Sequence, residues 1–173
     1  MKRTTFEPSP LMEANYRADA DRWTLVFVRT LRHPPEKVWA ALVDPEQLAE
    51  WSPYTADRDL SSIGEATLTM IDGDVAEPLP ASVTRAERPH LLEYTLGTDV
   101  VRWELAPTDQ GTRLTLCHTV GAKDWLPKVA AGWHLCLDVA ERLLDGQPIG
   151  PIRGEDAKNF GWEDLHDAYA QKL

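Results

Sequence analysis

Cysteine is almost missing from this chain. Cys117 and Cys136 are the only two in 173 residues, too few for a disulfide framework, and both are expected to be free thiols behaving as small hydrophobes. There is no paired Cys-x-x-Cys, no G-x-S-x-G and no glycine-rich phosphate loop. Redox, serine-hydrolase and nucleotide-dependent chemistry therefore lack their usual anchors. No apolar run approaches the ~18 residues a membrane-spanning helix needs. The opening MKRTTFEPSPLMEANY has no apolar centre of the kind a secretion signal requires. A cytoplasmic protein without membrane insertion is expected. Basic charge is in short supply as well, with 18 Lys and Arg against 28 Asp and Glu and a formal net charge of -10. Such a surface repels phosphate backbones and anionic headgroups, which argues against nucleic acid as a partner.

What is present suits one sizeable hydrophobic core, since 43% of residues are hydrophobic and 7 are Trp. Residues 1–20 carry Pro8, Pro10 and mixed charge without a period and are expected to be an extension. The domain is expected over residues 21–146, and 147–173 form a linker and a C-terminal amphipathic helix that packs back on it. From Arg22 the segment RWTLVFVRTL is dense in β-branched and aromatic residues, and Trp23, Leu25, Phe27, Arg29 and Leu31 share one face of a strand. Pro35 opens a short helix, PEKVWAALV, because its missing N–H costs nothing in a first turn. Asp44, with Pro45 after it and Gln47 at N3, reads as the N-cap of a second short helix.

From Tyr54 to Val120 short β-rich runs alternate with turn residues, as an antiparallel meander does. The stretch around Pro78, Pro80 and ASVTRAE reads as broken by proline. Val101, Trp103 and Leu105 alternate with Arg102 and Glu104, then Leu114, Leu116 and His118 share a face. One face of this sheet is apolar and needs a cover. The segment Asp124 to Asp145 supplies it: Leu126, Val129, Ala130, Trp133, Leu137, Ala140 and Leu144 form a stripe at 100° per residue, with Cys136 at its border. Lys128, Asp138 and Arg142 point away, Asp124 is the expected N-cap, and Gly146 lies just past the end. Gly132, in the helix interior, suggests a close backbone approach. Trp162, Leu165 and Tyr169 give the last helix its apolar side.

The stretches HPPEKVWAALVDPEQLAEW, LLEYTLG, GTRLTLCHT and GWHLCLDVAERLLDG resemble the SRPBCC (START-like) superfamily, and within it the homologues of the activator of the ninety-kilodalton heat-shock chaperone's ATPase. The resemblance spans about residues 22–146. It implies an α+β helix-grip fold, a curved antiparallel sheet wrapped around a long C-terminal helix, with an apolar cavity between them. It implies no single activity, because the superfamily holds lipid and hormone carriers, polyketide cyclases and chaperone cofactors. The chain departs from the family pattern at Leu96, where a Trp usually follows the Tyr-Thr pair.

On that reading the cavity would bind a small hydrophobic or amphipathic molecule, lined by Phe27, Arg29, Tyr94, Trp103, Leu116, His118, Val129, Trp133 and Cys136. Arg29 and His118 are the polar members of apolar faces, where an unpaired group costs on the order of 1 to 3 kcal/mol. Arg29 either holds an anionic group or pairs with a carboxylate at the rim. His118 either bonds a ligand, serves as acid or base in a cyclase- or hydrolase-like enzyme, or is a satisfied core histidine. His134 and Cys136 project 200° apart on a helix, so no metal site is expected there, and no cofactor is called for. His134 and Asp138 read as a surface pair at i, i+4. Asp57, Asp59, Asp72 and Asp74 read as solvated turn charges. A protein partner for the acidic surface, a chaperone or regulator, and a homodimer are the remaining alternatives.

Overall fold

The meander closes as a single eight-stranded antiparallel sheet in the computed structural model, which describes residues 6–173. The strands are β1 Glu13–Asp19, β2 Arg22–Leu31, β3 Tyr54–Ala56, β4 Gly64–Asp72, β5 Val75–Glu87, β6 Leu91–Leu96, β7 Asp99–Thr108 and β8 Gly111–Val120. Their spatial order is β1-β2-β8-β7-β6-β5-β4-β3. Between β2 and β3 run α1, Pro35–Val43, and α2, Pro45–Leu48. The long α3, Trp125–Leu144, crosses the sheet, and α4, Trp162–Lys172, packs on α3. This is the expected α+β helix grip. Among the described residues no helix is long and apolar enough to cross a membrane.

Local chemistry explains most of these boundaries. Pro35 occupies the first turn of α1, and the Asp44 carboxylate accepts the Glu46 N–H at 3.1 Å to open α2. Gly146, at φ 80°, ends α3 in a left-handed turn in which its N–H reaches the Leu143 carbonyl. The strand around Pro78 and Pro80 is not broken: β5 runs unbroken for 13 residues. Its ladder with β6 spans only Val83–Glu87, so the two prolines sit where no β6 carbonyl awaits their missing N–H.

Three further expectations change. The presumed extension contains β1, which pairs with β2 from Glu13 against Val28 to Asp19 against Arg22. Its side chains are nearly all exposed, leaving no apolar alternation to read, and its turn uses Ala20 at φ 57° in place of a glycine. Asp124 does not cap α3, because its own backbone is already helical and its carboxylate accepts no cap hydrogen bond. No backbone approaches Gly132 either: a Cβ added there meets open space.

The core is dominated by aromatic rings between sheet and helix. Trp103 of β7 meets Trp133 of α3 edge-on, 5.3 Å apart at 89°, and Trp51 touches both at 6.0 and 6.3 Å. The Trp51 indole N–H donates to the Ala41 carbonyl at 2.9 Å, tying this cluster to α1. The centre of the grip is therefore filled, and any space must lie to one side of it.

Candidate functional site

That space is a cleft of about 630 Å³ at one end of the grip. One wall is α3, through Val129, Gly132, Trp133 and Cys136. A second is the sheet, through Tyr54, Met70, Leu96 and His118. The third comes from the segment after α3, through Ile152, Arg153, Ala157 and Trp162. A short 3₁₀ helix, Gly154–Phe160, carries this last wall. It is fastened to the sheet where the Asp72 carboxylate accepts the Glu155 N–H at 3.2 Å. Asp72 packs so close to Gly154, at φ 55°, that any side chain there would collide with it. Asp72 is thus a fastening for the strap as well as a turn charge. The mouth is marked by Trp125, 54% exposed, with the Lys128 ammonium 4.9 Å above its ring.

The ring nitrogens and hydroxyls of the sheet and α3 walls are satisfied by neighbouring side chains. Trp133 donates its indole N–H to Nδ1 of His118 at 2.9 Å, and His118 Nε2 meets the Asp99 carboxylate at 2.9 Å. An indole nitrogen only donates, so Nδ1 is the acceptor and Nε2 carries the proton given to Asp99. Both ring nitrogens are engaged, which leaves none to move a proton on a bound molecule. Deeper in, the Tyr54 and Tyr94 hydroxyls are hydrogen-bonded, and Tyr94 accepts the Trp103 indole N–H at 3.1 Å. Burial pushes the Tyr54 phenol well above its ordinary range and Tyr94 up to about 12. The Cys136 thiol is likewise pushed up to about 12 by burial, which removes it as a nucleophile.

The sequence-derived candidates divide into three groups. His118, Val129, Trp133 and Cys136 line the cleft together. Tyr94 and Trp103 lie directly behind it, bonded to each other, and Leu116 is fully buried in the sheet. Phe27 and Arg29 are drawn into a different neighbourhood, on the flank of α3 away from the cleft. Phe27 packs edge-on against Tyr169 at 5.6 Å. Arg29 Nη1 meets Asp138 Oδ1 at 2.6 Å and Nη2 meets Glu141 Oε1 at 3.1 Å.

That flank corrects the helical wheel. His134 and Asp138 are no surface pair: both are buried, because residues 6–12 and α4 cover the side of α3 assigned to solvent. Ser9 donates its hydroxyl to Asp138 Oδ1 at 2.7 Å and its N–H to Oδ2 at 2.9 Å. Tyr169 accepts the Met12 N–H at 3.0 Å and donates to His134 Nδ1 at 2.7 Å, so His134 Nε2–H donates to the Ser9 carbonyl at 3.0 Å. A Ser, a His and an Asp meet here. The Ser9 hydroxyl proton, however, goes to the carboxylate, and the network clasps chain segments together without facing the cleft.

Among the described residues no three His, Cys, Asp or Glu side chains come together to hold a metal ion. Tyr54, Met70, Ile152 and Arg153 carry no signal in the sequence as cleft residues, and only the folded chain brings them to Gly132 and Trp162. Leu96 was visible as a departure from the family pattern.

A family model for Activator of Hsp90 ATPase homolog 1-like protein matches residues 32–145. Among solved structures, the chain resembles a conserved protein of unknown function, EF2215, from Enterococcus faecalis. That match has 17% identity and a TM-score of 0.70, covering 93% of this chain and 90% of that one. CalU16 from Micromonospora echinospora is similar at 19% identity and TM-score 0.68, over 92% and 96% of the two chains. An AHSA1-like protein from Aeromonas hydrophila is similar at 22% identity and TM-score 0.60, over 71% and 92%. No curated protein gives a significant match.

Proposed function

The chain belongs to the Activator of Hsp90 ATPase homolog 1-like family, within the SRPBCC superfamily, and from that premise we propose that it binds a small hydrophobic or amphipathic molecule in the cleft. The observation that carries the reading is the cleft itself. It has about 630 Å³ of space and mostly apolar walls, its charged side chains confined to the strap, its Asp72 fastening and the mouth, within the size range of small-molecule sites. Trp133 and Val129 would supply the apolar bed on α3, with Leu96 and Met70 opposite. His118, held by Trp133 and Asp99, would shape the wall. The engagement of both its nitrogens favours binding over the acid–base chemistry of a cyclase or hydrolase. An interaction module with a filled interior would have no use for this space, which favours a ligand over a purely protein partner.

Native mass spectrometry of protein purified gently from its own cells, with release of any bound molecule by denaturation, tests the proposal. In parallel, the neutral dye Nile red reports whether the purified protein offers an apolar cavity, through a blue shift and gain of emission. A stoichiometric small molecule or saturable dye uptake supports the reading. Bare protein mass together with no dye uptake refutes it.

A further inference from the structure

Five charged side chains face the cleft: Asp72, Lys128, Arg153, Glu155 and Lys158. Two of them are paired, Lys158 Nζ lying 3.1 Å from Glu155 Oε2, and Asp72 accepts the Glu155 N–H. Lys128 is exposed at the mouth over Trp125. Arg153 differs from all of these. It is half-buried, and its Nε and Nη2 donate to the carbonyls of Ser52 at 2.8 Å and Ala49 at 3.0 Å, past the end of α2. Among the described residues no carboxylate lies within ion-pair distance of it. A guanidinium has five N–H donors, and these two carbonyls leave the remainder, both hydrogens of Nη1 included, without a protein acceptor.

We infer that the molecule held in this cleft is an amphipathic monoanion, a carboxylate, whose head group is bound by Arg153. The inference rests on the cleft being the binding site proposed above. A half-buried cation with no carboxylate in ion-pair contact is unfavourable, and burial pushes the Arg153 pKa down, Glu50 offsetting only part of that. A carboxylate arriving with the ligand supplies the missing charge through short, charge-assisted hydrogen bonds, and the planar fork of Arg matches its two oxygens. The two backbone carbonyls fix the guanidinium in advance, so little side-chain freedom is lost on binding. Charge number argues for a monoanion. One unpaired guanidinium neutralises a single negative charge, whereas Asp72 and Glu155 in the same wall repel a phosphate dianion. Ile152, next to Arg153 in the chain, and Leu96, Val129 and Trp133 give the apolar body of such a molecule its contacts.

The test uses two fluorescent probes of one shape and different charge, cis-parinaric acid and its methyl ester, titrated at pH 8 into wild-type protein, Arg153→Gln and Arg153→Lys. A hydrogen bond to a charged group is worth about 1.5 to 3 kcal/mol. The ratio of acid to ester affinity is therefore expected to fall at least about tenfold in Arg153→Gln, with Arg153→Lys in between. An acid-to-ester ratio that is the same in all three proteins refutes the anchor while leaving the cavity standing, as does an equal loss of both probes in the variants. If neither probe nor Nile red binds wild-type protein, the cavity reading fails and the anchor fails with it. The wild-type comparison of acid with ester does not depend on any variant folding: preference for the ester there also counts against the anchor.

Discussion

Gly132 offers the cleanest perturbation of the cleft. It sits in the interior of α3, half-buried, among the residues lining the cleft, and a Cβ built on it meets nothing within 4 Å. Two substitutions at this one position separate stability from occupancy. Gly132→Ala removes the conformational entropy that glycine brings to the unfolded chain and adds a methyl group to open space. It is expected to stabilise the fold by roughly 0.5 to 1 kcal/mol. For a chain of this size that corresponds to a rise in melting temperature of about 1 to 4 °C. Gly132→Phe projects a ring into the same space and fills part of the volume a ligand would occupy. The expected result is a folded protein whose Nile red uptake is lost or reduced at least tenfold. Urea unfolding followed by circular dichroism gives the first quantity and dye titration the second. A destabilised Gly132→Ala would show that the space is not open. A folded Gly132→Phe with undiminished dye affinity would show that the dye, and by extension the ligand, binds elsewhere.

Removing His118 with His118→Ala leaves the buried Trp133 indole N–H without its acceptor and is expected to cost about 1 to 3 kcal/mol by urea unfolding; a loss below about 0.5 kcal/mol would contradict the assigned bond. Arg29→Met leaves Asp138, 5% exposed, without its cation and is expected to cost about 3 to 5 kcal/mol. Adding Asp138→Asn to it should recover part of that loss, and no recovery would mean the pair is not coupled. The third expectation concerns acid. Burial lowers the His134 pKa below 6.5, its effect exceeding the opposing pull of Asp138, while Arg29 adds to the lowering. The fold thus needs the neutral ring, and its contribution is fully present above pH 6.5 and declines as pH falls toward the depressed folded-state value. A stability profile measured from pH 8 to pH 5 should fall on the acid side, and His134→Gln should flatten that fall; an unchanged slope in the variant would remove His134 as its cause.

Most of the fold was legible because its signals are local. Alternation in WTLVFVRTL and VVRWELAP, proline and Asp-Pro at two helix starts, and a long apolar stripe ended by Gly146 each specify an element within a few residues. What escaped was set by neighbours distant in sequence. β1 has one buried side chain, Ala14, so only its hydrogen bonds to β2 make it a strand. The polar side of α3 reads as solvent-facing until residues 6–12 and α4 fold over it. At that point Asp138 and His134 become the centre of a clasp. Asp124 failed as a cap for a local reason of another kind, since the turn before α3 already winds the backbone through Ala122 and Lys123.

The same contrast explains the site. Four of the nine lining candidates are cleft residues because α3 and β8 are patterned well enough to show which side chains face inward. Arg29 was misleading because inward on β2 means toward the covered flank of α3, and two carboxylates of that helix meet it there. The aromatic cluster of Trp51, Trp103 and Trp133 occupies the centre of the grip, so the open volume is displaced to the end where residues 152–162 pass over the sheet. That segment lies beyond residues 32–145, the part the family model matches. The matched region therefore supplies the floor and α3 wall of the cleft, whereas Ile152, Arg153 and Trp162 come from the C-terminal stretch outside it. If ligand chemistry diverges among relatives with this fold, the physical place for it to diverge is such a wall, where one half-buried cation would change the preferred charge of the ligand without disturbing the core.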